Sequence, residues 1–179
     1  MEDARQQRLE MFLRPLYQDL DGGTRFDDVG RIGALARRLT EPTRELELLI
    51  LFHGLGNWLE KLGNLSRTVL TLPGVVTELE LRHTAASIRR LDSPTNESER
   101  AVAAALIVDR AGLRGLAERL ARSRREGSTP AEVASAALTP MELPSWLPLQ
   151  AVTWIGERQR ARQAMCHRIL DEGSLADLG

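Results

Sequence analysis

The segment of residues 46–62 constrains the fold most, because a helix formed from it is apolar on almost every side. Such a helix has to be enclosed, either in a protein core or in a lipid bilayer. A bilayer span takes about 20 residues with few charges. Polar and charged side chains interrupt this segment and its start, at Glu45, Glu47, His53, Asn57, Glu60 and Lys61. We therefore expect residues 46–62 to form the buried central helix of a globular protein.

The rest of the chain shows apolar residues at helical spacing, in segments separated by glycine and proline signals. Two start signals are complete, Thr77 with Glu80 and Thr129-Pro130 with Glu132. We expect a turn at residues 21–24, an irregular segment at 64–76 and a proline-rich connector at 139–148. The predicted helices, besides the central one, cover about 3–20, 27–39, 77–91, 94–109, 113–127, 130–138 and 149–172, with Gly173 ending the last.

Composition agrees with this pattern. The 179 residues include 30 Leu and 20 Ala but only 8 Val and 6 Ile, so helix formers greatly outnumber strand formers. The length suits one domain. The sequence therefore predicts an all-α, compact single-domain bundle over residues 1–179, with about seven or eight helices around a buried central helix.

Charge and cysteine content indicate the class of protein and its expected cellular location. The net charge is −1, with 42% hydrophobic and 27% charged residues, which is typical of a soluble globular protein. Cys166 is the only cysteine, and the first 30 residues lack the layout of a signal peptide. We expect a cytoplasmic protein without a membrane span, in which Cys166 is buried and the adjacent His167 is exposed.

Two short segments resemble a dinucleotide-binding fingerprint and a calcium-binding loop, but neither has all the residues that its motif requires. Residues 54–56 read Gly-Leu-Gly, as at the start of a dinucleotide fingerprint, but Leu59 replaces the third glycine and no strand precedes the segment. We interpret the two glycines as a site of close helix packing. The acidic turn from Asp19 places Gly30 where a calcium loop needs its bidentate Glu, and we interpret it as a turn between helices.

Arginines crowd residues 110–125, where only Glu118 and Glu126 oppose them. Arg110 and Arg114 are candidates for a small anion pocket, because a guanidinium presents a fork of donors to an oxyanion. Binding of RNA along this face is a lower alternative, since no aromatic residues interleave for base stacking. A solvated helix surface is the plainest interpretation of most of these arginines.

His83, Asp109 and Asp171 lie at or near the ends of three different predicted helices. Imidazole and carboxylate groups from separate helices are how a helical bundle holds a divalent metal. Residues 81–86, Leu-Arg-His-Thr-Ala-Ala, and residues 103–112, which contain Val108-Asp109, resemble the HD-type metal-dependent phosphohydrolases. That resemblance implies a helical bundle, a metal held by His83, Asp109 and Asp171, and hydrolysis of nucleotides or phosphodiesters.

The sequence departs from that pattern at Val108, which stands where the family has the histidine of its His-Asp pair. A valine side chain cannot ligate a metal. We therefore expect no cofactor, and a divalent metal only if the chain is such an enzyme. His53, within the apolar central helix, needs a polar partner if buried. It is a further ligand-binding candidate beside His83, Asp109, Arg110 and Arg114.

Two functions compete at this point. The first is a non-catalytic helical scaffold or regulatory protein that binds itself, a protein partner or a small anionic ligand; the alternative is the HD-type phosphohydrolase. Trp146, Leu147 and Leu149 are apolar residues in or beside the connector that cannot bury one another. We expect them to pack on the core or on a second copy of the chain, which favours a homodimer.

Overall fold

The computed structural model describes residues 2–18, 26–61 and 63–176 of the chain. It is 76% helical and has no strand among these residues, so the all-α prediction is confirmed. The helices are α1 Glu2–Gln18, α2 Phe26–Ala36, α3 Arg44–Phe52, α4 Gly56–Leu59, α5 Asn64–Thr71, α6 Glu78–Arg89, α7 Glu97–Ala111, α8 Leu113–Glu126, α9 Pro130–Ala137 and α10 Leu149–Ala176, with a 3-10 turn His53–Leu55 between α3 and α4. None of the described helices is both long and apolar enough to cross a membrane.

The chain divides into two compact units, residues 1–105 and residues 106–179, and α7 contributes to both. The first unit contains α1 to α6 and the start of α7. The second contains the end of α7 and α8 to α10. Whether the chain behaves as the single domain predicted from its length stays a prediction.

The core of the first unit is built on α3. Six of the nine α3 residues are buried, Leu46 and Leu48 to Phe52, and Leu55 and Leu59 continue this core through the following turns. Helix α6 packs against α3, and α2 does so as well. The hydroxyl of Tyr17 on α1 donates to the carbonyl of Leu51 at 2.7 Å. The predicted burial of this segment is therefore confirmed.

The central segment is not one helix, as predicted, but α3, a 3-10 turn and the single-turn α4. The interruption falls at Gly54 and Gly56, where glycine weakens the α-helix. A Cβ on Gly56 would lie 2.9 Å from Cγ2 of Ile88 on α6, so glycine permits close packing there. Leu62, the predicted end of the helix, lies outside the described residues.

The segment predicted as irregular forms helix α5 over much of its length. Gly63 adopts a left-handed conformation, φ 84°, immediately before Asn64, a conformation that glycine takes without strain. Gly74 also has a positive φ, as the predicted Pro73-Gly74 turn requires. The described ranges contain ten α-helical segments, more than the seven or eight expected, because α4 separates from α3 and α5 was missed.

Three predicted helix ends are confirmed. Thr77 and Glu80 form a capping box at α6, and Thr129 and Glu132 form one at α9. Gly127 ends α8 with φ 80°. Other ends differ: α7 begins at Glu97 rather than at Pro94, because the Asn96 side chain accepts a hydrogen bond from the amide of Glu99.

In the second unit, α9 and α8 pack against α10. Their core contains Leu116, Ala134, Ala137 and Cys166, and Cys166 is buried beside an exposed His167 as expected. Helix α10 continues to Ala176, so the prediction that Gly173 ends it is wrong. A glycine inside a helix lowers its stability without stopping it. The turn predicted at residues 21–24 lies outside the described residues.

Candidate ligand site on helices α3 and α6

A cavity of about 350 Å³ lies beside α3 and α6 in the first unit. This volume is within the range of small-molecule sites, which run from about 300 to 1,000 Å³. Leu48 and Ala86 give it an apolar part. The polar lining consists of Arg44, Glu45, Glu80, His83, Thr84, Ser87 and Arg90. Four of these polar residues recur at three or four positions along α6, which places them on one helix face.

Arg44 is fixed at one side of this cavity by two internal acceptors. Its Nε donates to Glu80 Oε1 at 3.0 Å and its Nη2 donates to the carbonyl of Val75. The other carboxylate oxygen of Glu80 accepts from the amide and hydroxyl of Thr77. Although burial alone would raise the pKa of Glu80, the bonds from Arg44 and Thr77 hold that pKa below its usual value.

Arg90 is fixed in the same manner at the other side. Its Nε donates to Glu99 Oε1 at 2.9 Å, and its Nη2 reaches the same oxygen and the Ser87 hydroxyl. The amide and hydroxyl of Thr95 donate to Glu99 Oε2. Burial would raise the pKa of Glu99, but the hydrogen bonds from Arg90, Thr95 and Ser87 outweigh it and lower the pKa to about 2.

His83 lines the same cavity as these two arginines. It is exposed, and it takes part in no hydrogen bond or ion pair with the residues that the structure describes. Both arginines use Nε and Nη2 for their internal bonds, so Nη1 of each is not engaged within the described chain. The cavity therefore presents an imidazole and two positioned guanidinium groups to a ligand.

A larger groove of about 690 Å³ shares Arg44 and Glu80 with this cavity. Its lining is mainly apolar, and the lining residue Leu70 is 80% exposed. The lining residues are Arg5, Arg44, Val69, Leu70, Pro73, Gly74, Val75, Val76, Thr77, Glu78 and Glu80. Its composition suits an apolar ligand or side chain rather than an ion.

In the second unit, Asp109 lies at the corner between α7 and α8, where it is 8% exposed. Its Oδ2 lies 3.3 Å from Nε of Arg114, and its Oδ1 lies 3.9 Å from Nη1 of Arg158. Arg114 also pairs with Glu118 at 3.0 Å. Asp109 and Arg114 are thus partners in a structural ion-pair cluster, whereas Arg110 is exposed.

The residues that resemble the phosphohydrolase motif fall in both units. His83 belongs to the first, Asp109 and the exposed Asp171 belong to the second, and Val108 is a fully buried core residue. No group of three or more His, Cys, Asp or Glu side chains in the described ranges is arranged to hold a metal ion. The resemblance stays a hypothesis, and the ligand roles it implies are not assigned by the geometry.

The remaining candidate residues are His53 and the arginines of α8, and none of them lines either cavity. His53 is buried, and its Nδ1 lies 2.7 Å from the carbonyl of Ile50, one turn earlier on α3. It lines neither cavity of the first unit. The arginines near the end of α8 are exposed, as expected for a solvated helix face: Arg119, Arg122, Arg124 and Arg125.

The sequence analysis identified His83 but not the other residues that line its cavity, among them Arg44, Ser87 and Arg90. Arg44 and His83 lie on different helices, and helical periodicity does not specify which helices pack together. One signal was present for Arg90, because Ser87 and Arg90 follow His83 at helical spacing. Comparisons of the chain with protein-family models, with curated proteins and with solved structures give no match.

Proposed function

We propose that this chain is a non-catalytic, cytoplasmic helical protein that binds a small anionic ligand in the cavity beside α3 and α6. The ligand class is a compound with one carboxylate or phosphate group and a small apolar part. His83, Arg44 and Arg90 would bind the oxyanion, and Leu48 with Ala86 would contact the apolar part.

The observation that supports this proposal is that the carboxylates of the cavity have internal hydrogen-bond donors, whereas some of its cationic donors have no internal acceptor. The carboxylates are engaged by internal donors: Glu80 by Arg44 and Thr77, and Glu45 by the side-chain amide of Asn96. The imidazole of His83 and Nη1 of both arginines are not engaged by the described residues, so they can bind a ligand. A guanidinium held by its own carboxylate loses little conformational entropy when it binds an oxyanion, and such preorganisation favours affinity.

The described hydrogen bonds of the cavity do not pair a nucleophile with a general base. No serine or cysteine lies in it with an imidazole positioned as its base among the described hydrogen bonds, since Ser87 accepts from Arg90. Binding of an anion is the role that the positioned arginines support best. We therefore favour a regulatory or scaffold role, in which occupancy of the cavity stabilises the α3–α6 pair.

Thermal unfolding with added anions tests the proposal. Phosphate and butyrate serve as probes, and equal ionic strengths of sodium chloride are the reference. A ligand at 100 times its dissociation constant adds about 2.7 kcal/mol to the free energy of unfolding, which raises Tm by about 5 to 10 °C for a chain of this size. The proposal requires a saturable rise with at least one of the two probes.

His83→Gln is the most informative variant, because His83 supports no described structural contact. It should weaken probe binding about tenfold through loss of one charge-assisted hydrogen bond. Arg82→Gln is its matched control: Arg82 is the neighbouring exposed α6 residue, it pairs with Glu78, and it lines neither cavity. Equal binding by wild type and His83→Gln would contradict the assignment.

A second candidate function, docking of a protein partner, is favoured by the larger groove. Leu70 and Leu79 are large apolar residues near it that are 80% and 63% exposed. Exposed apolar side chains beside a groove are typical of protein interaction sites. Leu70→Glu should abolish association at this groove and leave the anion response of the smaller cavity unchanged, so the two functions can be separated.

A further inference from the structure

The larger groove of the first unit presents apolar surface next to the smaller cavity. In its lining, Val75 and Val76 are buried and Val69 is half-buried, whereas Leu70 and Pro73 are exposed. Exposed apolar surface of this kind gains free energy when an apolar group removes it from water. At about 690 Å³, the groove has room for a hydrocarbon chain.

Each carboxylate in the lining of this groove has a donor among the described residues. Glu80 accepts from Arg44 at 3.0 Å, and Glu78 pairs with Arg82 at 2.6 Å. Arg5, on α1, is exposed and forms no ion pair within the described ranges. Paired carboxylates repel an anion less than unpaired ones, and a cation attracts it. The charges of the groove are therefore compatible with an anionic ligand that inserts an apolar chain.

Arg44 joins the groove to the smaller cavity, in which we propose that an oxyanion binds. It lines both spaces, as does Glu80. Its Nη2 donates to the carbonyl of Val75, a residue of the groove, while its Nη1 is not engaged by the described residues. The methylene stem of an arginine is apolar although its head is charged. One side chain can therefore bind an oxyanion through Nη1 and contact a hydrocarbon chain through its stem.

Helix α6 sets the separation of the two spaces. Thr77, the N-cap of this helix, lines the groove, and His83, further along the same helix, lines the smaller cavity. At about 1.5 Å per residue, the two positions lie about 9 Å apart along the helix axis. An extended hydrocarbon chain of the length of octanoate covers a distance of this order, so one molecule can reach both spaces.

We infer that the smaller cavity and the groove form one site for an anionic amphiphile, a medium-chain acyl carboxylate or alkyl phosphate. The oxyanion binds at His83 and at Nη1 of Arg44, and the hydrocarbon chain lies in the groove and covers Leu70. This inference rests on the anion site proposed above, and it extends the apolar part of the ligand from the smaller cavity into the groove.

The test compares the dissociation constants of butyrate and octanoate for the full chain by isothermal titration calorimetry, with octanoate kept below the concentration at which it forms micelles. Each methylene by which octanoate exceeds butyrate gains about fourfold in affinity when it is fully buried. Because the groove is open at Leu70, which is 80% exposed, we expect a total gain of at least about tenfold rather than the full product. Octyl phosphate and inorganic phosphate repeat the comparison for a phosphate head, and a gain with one head only would identify that head as the one the site prefers.

Leu70→Glu tests the place of the hydrocarbon chain, because it puts a carboxylate into the groove at an exposed position outside the core. It should weaken octanoate binding at least about fivefold and leave the dissociation constant of butyrate within about twofold of the wild-type value. Met11→Glu is the matched control, since Met11 is 73% exposed in the same unit and lines neither space. It should change neither dissociation constant.

His83→Gln tests the place of the head group. It should weaken butyrate and octanoate by the same factor of about ten, because both ligands put their carboxylate in the smaller cavity. Arg5→Gln tests the opposite orientation, in which the carboxylate lies in the groove. We expect it to change octanoate binding by about twofold or less, since an exposed charge away from the head acts through screening solvent.

Three results would overturn this inference and leave the anion site of the smaller cavity in place. The first is that octanoate binds no more tightly than butyrate and octyl phosphate no more tightly than phosphate. The second is an unchanged affinity for octanoate in Leu70→Glu. The third is an affinity for octanoate that Arg5→Gln abolishes and His83→Gln retains, since the head would then lie in the groove. If phosphate, butyrate and octanoate all fail to bind, the anion site itself is contradicted, and this inference with it.

Discussion

Arg90 donates through both Nε and Nη2 to one carboxylate oxygen of Glu99, whose side chain is completely buried at the start of α7. The other oxygen of Glu99 accepts from Thr95, in the loop that precedes α7. A single carboxylate thus joins α6, the loop and α7. The same pair positions Arg90 at the cavity in which we propose that an anion binds.

The Arg90–Glu99 pair predicts acid sensitivity. The pKa of Glu99 is lowered to about 2 from 4.5, so this carboxylate stabilises the folded state above pH 4.5, and that stabilisation is lost as pH falls from about 5 towards 2. Glu99→Gln should reduce the free energy of unfolding by roughly 2 to 3 kcal/mol near neutral pH. It should also flatten the dependence of stability on pH between 5 and 2, measured by urea unfolding.

Glu97→Gln is the control for this measurement, because Glu97 lies in the same first turn of α7 but is exposed. We expect it to change the free energy of unfolding by about 0.5 kcal/mol or less. Parallel pH profiles for wild type and Glu99→Gln would show that Glu99 does not carry the acid sensitivity.

The corner between α7 and α8 depends on Gly115. A Cβ at this position would lie 1.9 Å from the backbone carbonyl oxygen of Arg110, and a backbone atom cannot move away as the tip of a side chain can. Gly115→Ala should therefore reduce stability by about 2 to 4 kcal/mol. Gly156→Ala, in α10 with nothing within 4 Å of the added Cβ, should instead increase it by about 0.5 to 1 kcal/mol. Equal effects of the two substitutions would contradict the packing of this corner.

The burial of the central segment predicts a large cavity effect. Leu55 is fully buried, and Leu55→Ala should cost about 2 to 5 kcal/mol of unfolding free energy. Leu70→Ala removes the same atoms from a side chain that is 80% exposed, and it should change stability by about 0.5 kcal/mol or less. Chemical unfolding midpoints measure both, and a small effect at Leu55 would show that the segment is not the core.

Local chemistry explains what the sequence could predict. The helices opened by Thr77 and Thr129 were predicted because a capping box acts within four residues. Helix α5 was missed because it is only eight residues long and includes the β-branched residues Thr68, Val69 and Thr71, which have low helix propensity. The sequence indicated close helix packing at Gly54 and Gly56, and Gly56 does approach Ile88 on α6, but the break of the helix at these glycines was not predicted.

The candidate site was predictable only in part, for the same reason. His83 was identified as a candidate, and Arg90 follows it at helical spacing, but Arg44 on α3 becomes its neighbour only when α3 and α6 pack together. Asp109, another candidate, forms an ion pair with Arg114.

Association is a further prediction. Leu147 is buried and Trp146 half-buried, but Leu149 is 82% exposed at the start of α10. We expect a homodimer that uses this surface, seen by light scattering as a mass above 19.9 kDa that rises with concentration. Leu149→Glu should shift the equilibrium to monomer, whereas Leu70→Glu should do so only if the groove of the first unit is the interface. A constant mass of 19.9 kDa at high concentration would exclude the dimer.

Metal binding decides between the binding protein and the HD-type phosphohydrolase. A catalytic divalent site needs three or more well-spaced protein ligands. Val108 supplies none, and the described carboxylate of Asp109 is engaged by Arg114 and Arg158. We expect Mn²⁺, Co²⁺ and Ni²⁺ to raise Tm only marginally, because a metal that held the site at 100 times its dissociation constant would add about 2.7 kcal/mol.

The variants His83→Ala and Asp109→Ala test for the opposite outcome, a metal site that holds the metal through these two residues. A large metal-dependent rise in Tm that both substitutions abolish, together with hydrolysis of a nucleotide or phosphodiester, would establish the enzyme in spite of Val108. Asp109→Ala should in any case reduce stability, since it leaves Arg114 and Arg158 without a shared carboxylate. The quantity to compare is therefore the difference between Tm with and without metal in each variant. A loss of stability that is present without metal does not by itself change this difference.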